Sequence, residues 1–180
     1  MGERAPQLAY SDSQALMLDE RSRQAKAAKM LAVLTHWTGR EDLTGLVVAD
    51  VGCSGGIIAS ELSRAGARVV GLDIDEPGIR KAVNRFGGRE TGPAFVCADS
   101  MAAPLADGCV DVVICNHIYE HVVSPEALAA ELRRVVSPTG MVYLGLGNRW
   151  GVVEPHYRLP FLSYLPRRWA DRYVRASGRA

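Results

Sequence analysis

An apolar segment that ends at an acid and passes directly into a glycine-rich turn constrains the fold of this chain most strongly. Residues 46–50 read LVVAD and have the character of a buried strand, residues 51–56 read VGCSGG, and a helix pattern follows over 57–65. Glycines let the backbone turn tightly and approach a ligand, and the start of a helix offers free N–H groups. The order of strand, glycine turn and helix therefore predicts the nucleotide-binding corner of an α/β sheet.

The spacing within this turn decides which ligand is expected. The dinucleotide fingerprint G-x-G-x-x-G is not matched, because Ser54 and Ile57 stand at its second and third glycine positions. The turn reads instead as D-x-G-x-S-x-G, with Asp50 two residues before Gly52. A carboxylate there would repel a pyrophosphate but suits a cationic ligand, such as the ammonium group of an amino acid. A structural turn without a ligand is the alternative interpretation.

The turn resembles the first motif of the class I S-adenosylmethionine (SAM)-dependent methyltransferases, D/E-x-G-x-G-x-G. Ser54 is the single departure, and we expect it to remove the positive-φ freedom that glycine has at this position. The resemblance implies a Rossmann-like fold, SAM as cofactor and S-adenosyl-L-homocysteine as product. It also implies that the turn, through Gly52, Cys53, Ser54 and Gly56, frames the methionine part together with Asp50.

Three further strand patterns end in polar side chains at the spacing of this family. Residues 69–73 end at Asp73, residues 94–99 end at Asp99, and the strand 110–115 is followed by Asn116 and His117. The resemblance implies that Asp73 holds the ribose hydroxyls and that Asn116 borders the sulfur. It places the adenine beside Ile74, Asp99, Ser100 and Met101. A plain turn residue at Asp73 and a helix cap or loop residue at Asp99 are the alternatives.

Methyl transfer needs an aligned acceptor and, for a poor nucleophile, a group that takes its proton. His117, after the fourth strand, and His156, in a segment expected to cap the pocket, are the candidate catalytic bases. A rival reading comes from residues 117–121, which match the zinc-protease pattern H-x-x-E-H and would hold a metal if they formed a helix. The methyltransferase context explains the region better, so no metal site is predicted.

Strand and helix patterns alternate along the chain, which favours a doubly wound, mostly parallel sheet with helices on both faces. We expect one globular domain made of an N-terminal helical segment (1–40), a SAM-binding core (41–146) and a basic, aromatic lid or tail (147–180). A helix is predicted over 13–37, with its charged face solvated. A break is expected at residues 138–140, before a strand over 141–146.

Beyond residue 146 no convincing pair of strands is found, so the hairpin that usually ends this family's sheet is expected to be missing or replaced. An exposed sheet edge would then favour a homodimer. The function expected is methyl transfer from SAM to a small-molecule acceptor. The alternative is a non-catalytic protein with the SAM-binding fold, or a partner subunit.

Charge is distributed unevenly. Residues 1–148 hold 14 Lys and Arg against 18 Asp and Glu, a net −4, whereas residues 149–180 hold seven Arg against two acids, a net +5. The basic tail has three interpretations: a docking helix with a solvated basic face, a lid over the acceptor, or a helix that contacts an anionic membrane or polyanion. No nucleic-acid-binding module is recognised.

Localisation is expected to be cytoplasmic. The four cysteines lack metal-ligand spacing, which fits free thiols in a reducing compartment. Neither a secretory leader nor an apolar run long enough to span a bilayer is found in the sequence.

Overall fold

The computed structural model describes residues 8, 19–88, 91–147, 151–154 and 157–178. The chain divides into two compact units, Met1–Gly145 and Leu146–Ala180, each of which is described by itself.

The first unit is built on a five-stranded parallel sheet in the order β3-β2-β1-β4-β5. Its strands are β1 (Val47–Val51), β2 (Arg68–Asp73), β3 (Ala94–Cys97), β4 (Val110–Asn116) and β5 (Val136–Gly145). Its helices are α1 (Glu20–Thr38), α2 (Ile57–Arg64), α3 (Glu76–Phe86) and α4 (Pro125–Val135). The chain runs from the central β1 outward through β2 and β3, and then returns to the other side of β1 through β4 and β5. This is the doubly wound α/β fold expected from the sequence.

Two apolar clusters cover the two faces of the sheet. On one face α1 and α2 pack through Leu34 and Leu62 against Val48, which is completely buried. On the other face α4 packs through Leu132 against Ala49, the next residue along β1. Successive side chains of a strand point to opposite faces, so a continuous apolar run such as 46–49 is what a sheet with helices on both sides requires.

Local sequence signals set where the helices begin. The Ser124 hydroxyl accepts the N–H of Ala127 at 3.1 Å, and the Asp75 carboxylate accepts the N–H of Gly78 at 3.3 Å. Pro77 and Pro125 occupy the first turns of α3 and α4, where a proline loses no helical hydrogen bond. Ser124 is therefore the N-cap of α4. The predicted start of α1 at residue 13 lies outside the described residues, and its end is confirmed within one residue.

The sequence analysis placed the start of the last strand after a break at residues 138–140, but β5 already begins at Val136. Val136 already pairs with Val110, and Met141 then pairs with Val112, so four residues of β5 lie opposite the single Asp111 of β4. Pro138 and Gly140 thus form a bulge inside the strand rather than a loop before it, because a bulge accommodates a residue that cannot donate to the ladder.

The second unit contains a hairpin that the sequence analysis missed. β6 (Val153–Glu154) and β7 (Leu159–Pro160) pair antiparallel in a sheet of their own. A 3₁₀ turn (Leu162–Tyr164) and α5 (Arg167–Ala176) follow. Two-residue strands are too short to produce an alternating pattern, which explains the miss. In the part of the chain that the structure describes, the hairpin is therefore separate from the five-stranded sheet. Among the described residues, none of the helices combines the length and the apolar character that a membrane span requires.

Candidate functional site

The carboxyl ends of β1, β2 and β4 bring three predicted site residues to one edge of the sheet. Val51 of β1 pairs with Leu72 of β2 and with Cys115 of β4, so the residues that follow these strands are neighbours. The strand order reverses between β1 and β4, and such a reversal opens the crevice in which α/β sheets bind ligands. Asp73 and Asn116 end their strands here, and Asp50 is the penultimate residue of β1.

The glycine turn is held in a left-handed conformation at three positions. Gly52, Ser54 and Gly56 have φ values of 80°, 48° and 74°. The expectation that Ser54 would not adopt a positive φ is wrong. Its N–H donates to Asp73 Oδ2 at 2.7 Å, and this charge-assisted bond offsets the strain, which is of order 1 kcal/mol for a small residue. The turn is also tied to β2 by the N–H groups of Gly52 and Cys53, which donate to the Leu72 carbonyl at 2.7 and 3.1 Å.

Asp50 is a buried carboxylate with an unused oxygen. The residue is 3% exposed, and its Oδ2 has no hydrogen-bond partner among the described residues. Burial, followed by the charge of Asp73, raises the pKa of Asp50 to about 7, although the Arg23 charge and the N–H of Ala59 act in the opposite direction. An unsatisfied buried oxygen of this kind costs free energy until a donor reaches it. A cationic group that binds here would supply both the donor and the charge.

The charged face of α1 is not fully solvated, contrary to the sequence-based expectation. The Arg23 side chain is half-buried, and its charge lowers the pKa of Asp50. Lys26 is also half-buried, and burial lowers its pKa, with a further contribution from Arg23. Positive charge from Arg23, near the start of α1, therefore acts on Asp50. The sequence does not indicate this arrangement, because Arg23 and Lys26 have the spacing of residues on an ordinary solvated helix face.

Asp73 shows the turn-forming role of the alternative interpretation, and its contact with the ribose stays a prediction. Its Oδ2 accepts from the N–H of Ser54 at 2.7 Å, and its Oδ1 accepts from the N–H of Asp75 at 2.9 Å. Burial raises the pKa of Asp73, while the hydrogen bonds from Asp75 and Ser54 lower it. The carboxylate thus shapes two turns, and each oxygen keeps a lone pair for a ligand hydroxyl.

Asp99 lies in a turn, two residues after the end of β3. Its side chain accepts the N–H of Met101 at 3.0 Å, which is the hydrogen bond of an Asx turn. The side chains of Ser100 and Met101 are half-buried, and Met101 packs against the cluster that contains Leu132. The structure thus shows the loop geometry of the alternative interpretation. The contact of Asp99 with an adenine ring stays a prediction, as does that of the half-buried Ile74.

His117 follows β4 in a strained conformation. Its φ is 58°, its N–H donates to the Gly145 carbonyl at 2.8 Å, and its Nδ1 lies 3.4 Å from Glu120 Oε1. The imidazole is 48% exposed and can therefore meet a substrate. Residues 117–121 form turns rather than a helix, so the two histidines of the zinc-protease pattern do not have helical i, i+4 spacing. His156, the second candidate base, lies outside the described residues.

Ile118 is a site residue that the sequence analysis did not identify. A Cβ atom added to Gly52 would overlap the Ile118 side chain, so this side chain packs directly against the glycine turn. It therefore borders the space where a ligand would approach the backbone. The sequence signal is slight: Ile118 is merely the second residue after a strand whose carboxyl end points at the crevice.

Gly56, the last glycine of the turn, allows close packing against Phe95 and Ala82. A Cβ at Gly56 would lie 2.6 Å from the Phe95 ring and 2.8 Å from Ala82 of α3. Gly71 leaves room for the same ring on β2. Gly56 therefore allows α2 to start close to the neighbouring strands, which is the role of the third glycine in nucleotide-binding turns.

The fold and this edge of the sheet define a nucleotide-binding α/β domain. Comparison with known proteins then gives the family: the model of the methyltransferase domain matches residues 49–144, and the chain belongs to this family. The resemblance to class I methyltransferases is thereby confirmed.

Two curated relatives and one solved structure illustrate the similarity. A ubiquinone biosynthesis O-methyltransferase of Pseudomonas paraeruginosa is 35% identical over 150 residues, covering 77% of this chain and 62% of the relative. An uncharacterised methyltransferase of Mycobacterium bovis is 35% identical over 159 residues, covering 88% and 61%. Magnesium protoporphyrin IX methyltransferase from Synechocystis, crystallised with SAM, superposes with a TM-score of 0.52 at 24% identity, covering 65% of this chain and 54% of that one. This last likeness shows the fold alone. The chain spans about three fifths of the length of these curated relatives.

Proposed function

We propose that this protein transfers a methyl group from SAM to a small-molecule acceptor. The observation that carries the proposal is the unpartnered, buried oxygen of Asp50 beside a glycine turn whose neighbouring strand ends at Asp73. A dinucleotide would bring phosphates to this corner, and Asp50 would repel them. SAM instead brings an ammonium and a sulfonium, so the residues present fit the cofactor.

The roles we assign follow the strand ends. Asp50 accepts from the ammonium group, the turn with Gly52, Cys53, Ser54 and Gly56 lies along the methionine part, and Asp73 accepts from the ribose diol. Ile74, Asp99, Ser100 and Met101 surround the adenine, and Asn116 borders the sulfur. When bound, SAM supplies a methyl group that is already activated by the positive sulfur. The protein then has to align the acceptor and exclude water.

His117 is the group we assign to the proton of the acceptor. It lies beside Asn116 at the carboxyl end of β4, and Glu120 at 3.4 Å can orient its ring through Nδ1. This arrangement leaves Nε2 to accept from an acceptor hydroxyl. The relative named as an O-methyltransferase supports an oxygen acceptor. A hydroxylated small molecule is therefore the acceptor class we propose.

Transfer of labelled methyl from SAM to a panel of phenols, catechols and hydroxylated lipids tests the function. We expect transfer to at least one phenolic acceptor, and a loss of about 100-fold in kcat for His117→Ala. His36→Ala is the matched control, because His36 is an exposed histidine on α1 far along the helix from Arg23. SAM binding without transfer to any acceptor would contradict catalysis and favour the non-catalytic alternative.

SAM affinity should depend on pH through Asp50. Because the pKa of this carboxyl is about 7 in the free protein, the group is protonated below pH 7 and must lose its proton when the cation binds. Affinity should be constant above about pH 8 and fall about tenfold per pH unit well below pH 7. Calorimetry in two buffers with different ionisation heats would measure the release of about half a proton at pH 7.

Asp50→Asn should bind SAM weakly and with no such pH dependence, whereas Asp42→Asn, which changes an exposed carboxylate, should behave like the original protein. A pH-independent affinity of the original protein between pH 6 and 8 would contradict the contact between Asp50 and the ammonium group.

A further inference from the structure

The second unit carries a solvent-exposed cluster of large apolar side chains. Phe161, Tyr164, Leu165 and Trp169 are exposed by 58%, 46%, 38% and 58%. Phe161 and Tyr164 meet edge to face with their ring centres 6.2 Å apart. Four large, exposed apolar side chains therefore lie within nine residues, two of them in ring contact, and such a concentration of exposed apolar surface marks an interaction site.

The helix α5 is strongly amphipathic. At 100° per residue, Trp169, Ala170, Tyr173 and Val174 share one side of the helix, and Arg168, Arg172 and Arg175 share the other. Ala170 and Val174 border a cavity of about 370 Å³ together with Leu162 and Tyr157. That part of the apolar side faces its own unit, whereas Trp169 extends outward. None of the ten residues of α5, all of which the structure describes, is buried.

Arginines flank the aromatic cluster. The described residues of the second unit hold five Arg (158, 167, 168, 172 and 175) against Glu154 and Asp171, a net charge of +3. The guanidinium of Arg172 lies 5.8 Å from the centre of the Trp169 ring, so a positive charge lies close to the exposed indole. This charge is opposite in sign to the −4 of residues 1–148. The aromatic–arginine face consists of Phe161, Tyr164, Leu165 and Trp169 with Arg167, Arg168 and Arg172.

We propose that the aromatic–arginine face binds the surface of a bilayer containing anionic phospholipids. Trp169 on α5 and the exposed side chains of Phe161, Tyr164 and Leu165 supply apolar surface, and the arginines supply positive charge. Segments that combine the two lie at a membrane interface. Tyr164 and Trp169 are of the residue types that settle at headgroup level, with an apolar ring and a polar edge. Arginines extend along apolar surface to reach phosphates and are attracted to an anionic leaflet. The positive charge and the exposed aromatic side chains together favour an anionic bilayer over a neutral protein groove as the binding partner of this face.

Vesicle binding tests the proposal directly. Trp37→Phe and Trp150→Phe leave Trp169 as the only indole, and this protein is mixed with vesicles of phosphatidylcholine alone or with added phosphatidylglycerol. We expect partitioning at least tenfold stronger on the anionic vesicles, weakened by salt, with a blue shift of Trp169 fluorescence and quenching by brominated lipid.

Matched variants separate the two parts of the face, and co-sedimentation measures them. Trp169→Ser should weaken binding about tenfold, whereas Trp37→Ser, which removes an indole that is 74% exposed on α1, should not. Arg167→Gln with Arg168→Gln and Arg172→Gln should abolish the preference for anionic lipid. Arg21→Gln with Arg68→Gln and Arg133→Gln removes the same charge from exposed positions of the first unit and should leave binding almost unchanged.

Three results would overturn the proposal: no partitioning onto anionic vesicles, anionic binding without any blue shift or quenching of Trp169, and concentration-dependent self-association that buries Trp169 without lipid. The second result would indicate adsorption of a polycation, and the third a second copy as the occupant. Circular dichroism of each variant confirms that the fold is intact.

Discussion

Asp73→Ala is expected to weaken SAM binding by about 1,000-fold. In the proposed complex the carboxylate accepts from both ribose hydroxyls, and hydrogen bonds to a charged acceptor are worth about 1.5–3 kcal/mol each. The same substitution removes the acceptor of the Ser54 and Asp75 N–H groups, so the turn also loses its support. Calorimetric titration with SAM measures the affinity, and thermal unfolding measures the stability of the same samples.

Two further variants show whether the loss of SAM affinity comes from the ribose contact. Asp111→Ala also removes a carboxylate that accepts a backbone N–H, that of Val47 at 2.8 Å, but at the amino end of the sheet. It should lower stability and leave SAM affinity unchanged. Asp73→Asn keeps an acceptor oxygen for the turn and should show an intermediate loss. An Asp73→Ala protein that binds SAM as tightly as the original would refute the ribose assignment.

Gly52→Ala should lower the free energy of unfolding by about 3 kcal/mol and weaken SAM binding as well. About 1–2 kcal/mol comes from placing a side chain at a φ of 80°, and a similar amount comes from overlap with Ile118, which must shift. Because Ile118 packs on the turn that is proposed to hold the methionine part, this shift alters the cofactor site. Denaturant unfolding and SAM titration measure the two effects.

A double-mutant cycle separates strain from overlap. Gly39→Ala has a similar φ of 66° with nothing within 4 Å of the added Cβ, so it should cost only the strain, about 1 kcal/mol. Ile118→Ala removes the overlapping side chain, and combining it with Gly52→Ala should recover the steric part of the loss. If Gly52→Ala costs no more than Gly39→Ala, Ile118 does not pack on the turn as described.

The sheet was predictable because each strand carries its own signal. A buried parallel strand is an unbroken apolar run, and Asp50, Asp73 and Asn116 mark the ends at which such runs leave the core. The bulge in β5 was not predictable, because Pro138 and Gly140 form the pattern of a break whether or not pairing resumes beyond it.

The site was predictable only in part, because some of its members are set by packing. Ser54 has a positive φ because Asp73, on another strand, accepts its N–H, and no local preference of serine indicates this. Ile118 and Arg23 reach the site from a loop and a helix whose local sequences resemble ordinary surface or core. The contacts of Asp99 and His117 with ligands remain predictions, since they depend on molecules that only binding experiments supply.

Calorimetric titration of the purified chain with SAM and with S-adenosyl-L-homocysteine at pH 8, where Asp50 is ionised, tests the central claim most directly. Micromolar binding of both compounds, lost in Asp73→Ala and retained in Asp111→Ala, is the predicted result. A folded, monodisperse protein that binds neither compound would contradict the assignment of this strand edge as a SAM site.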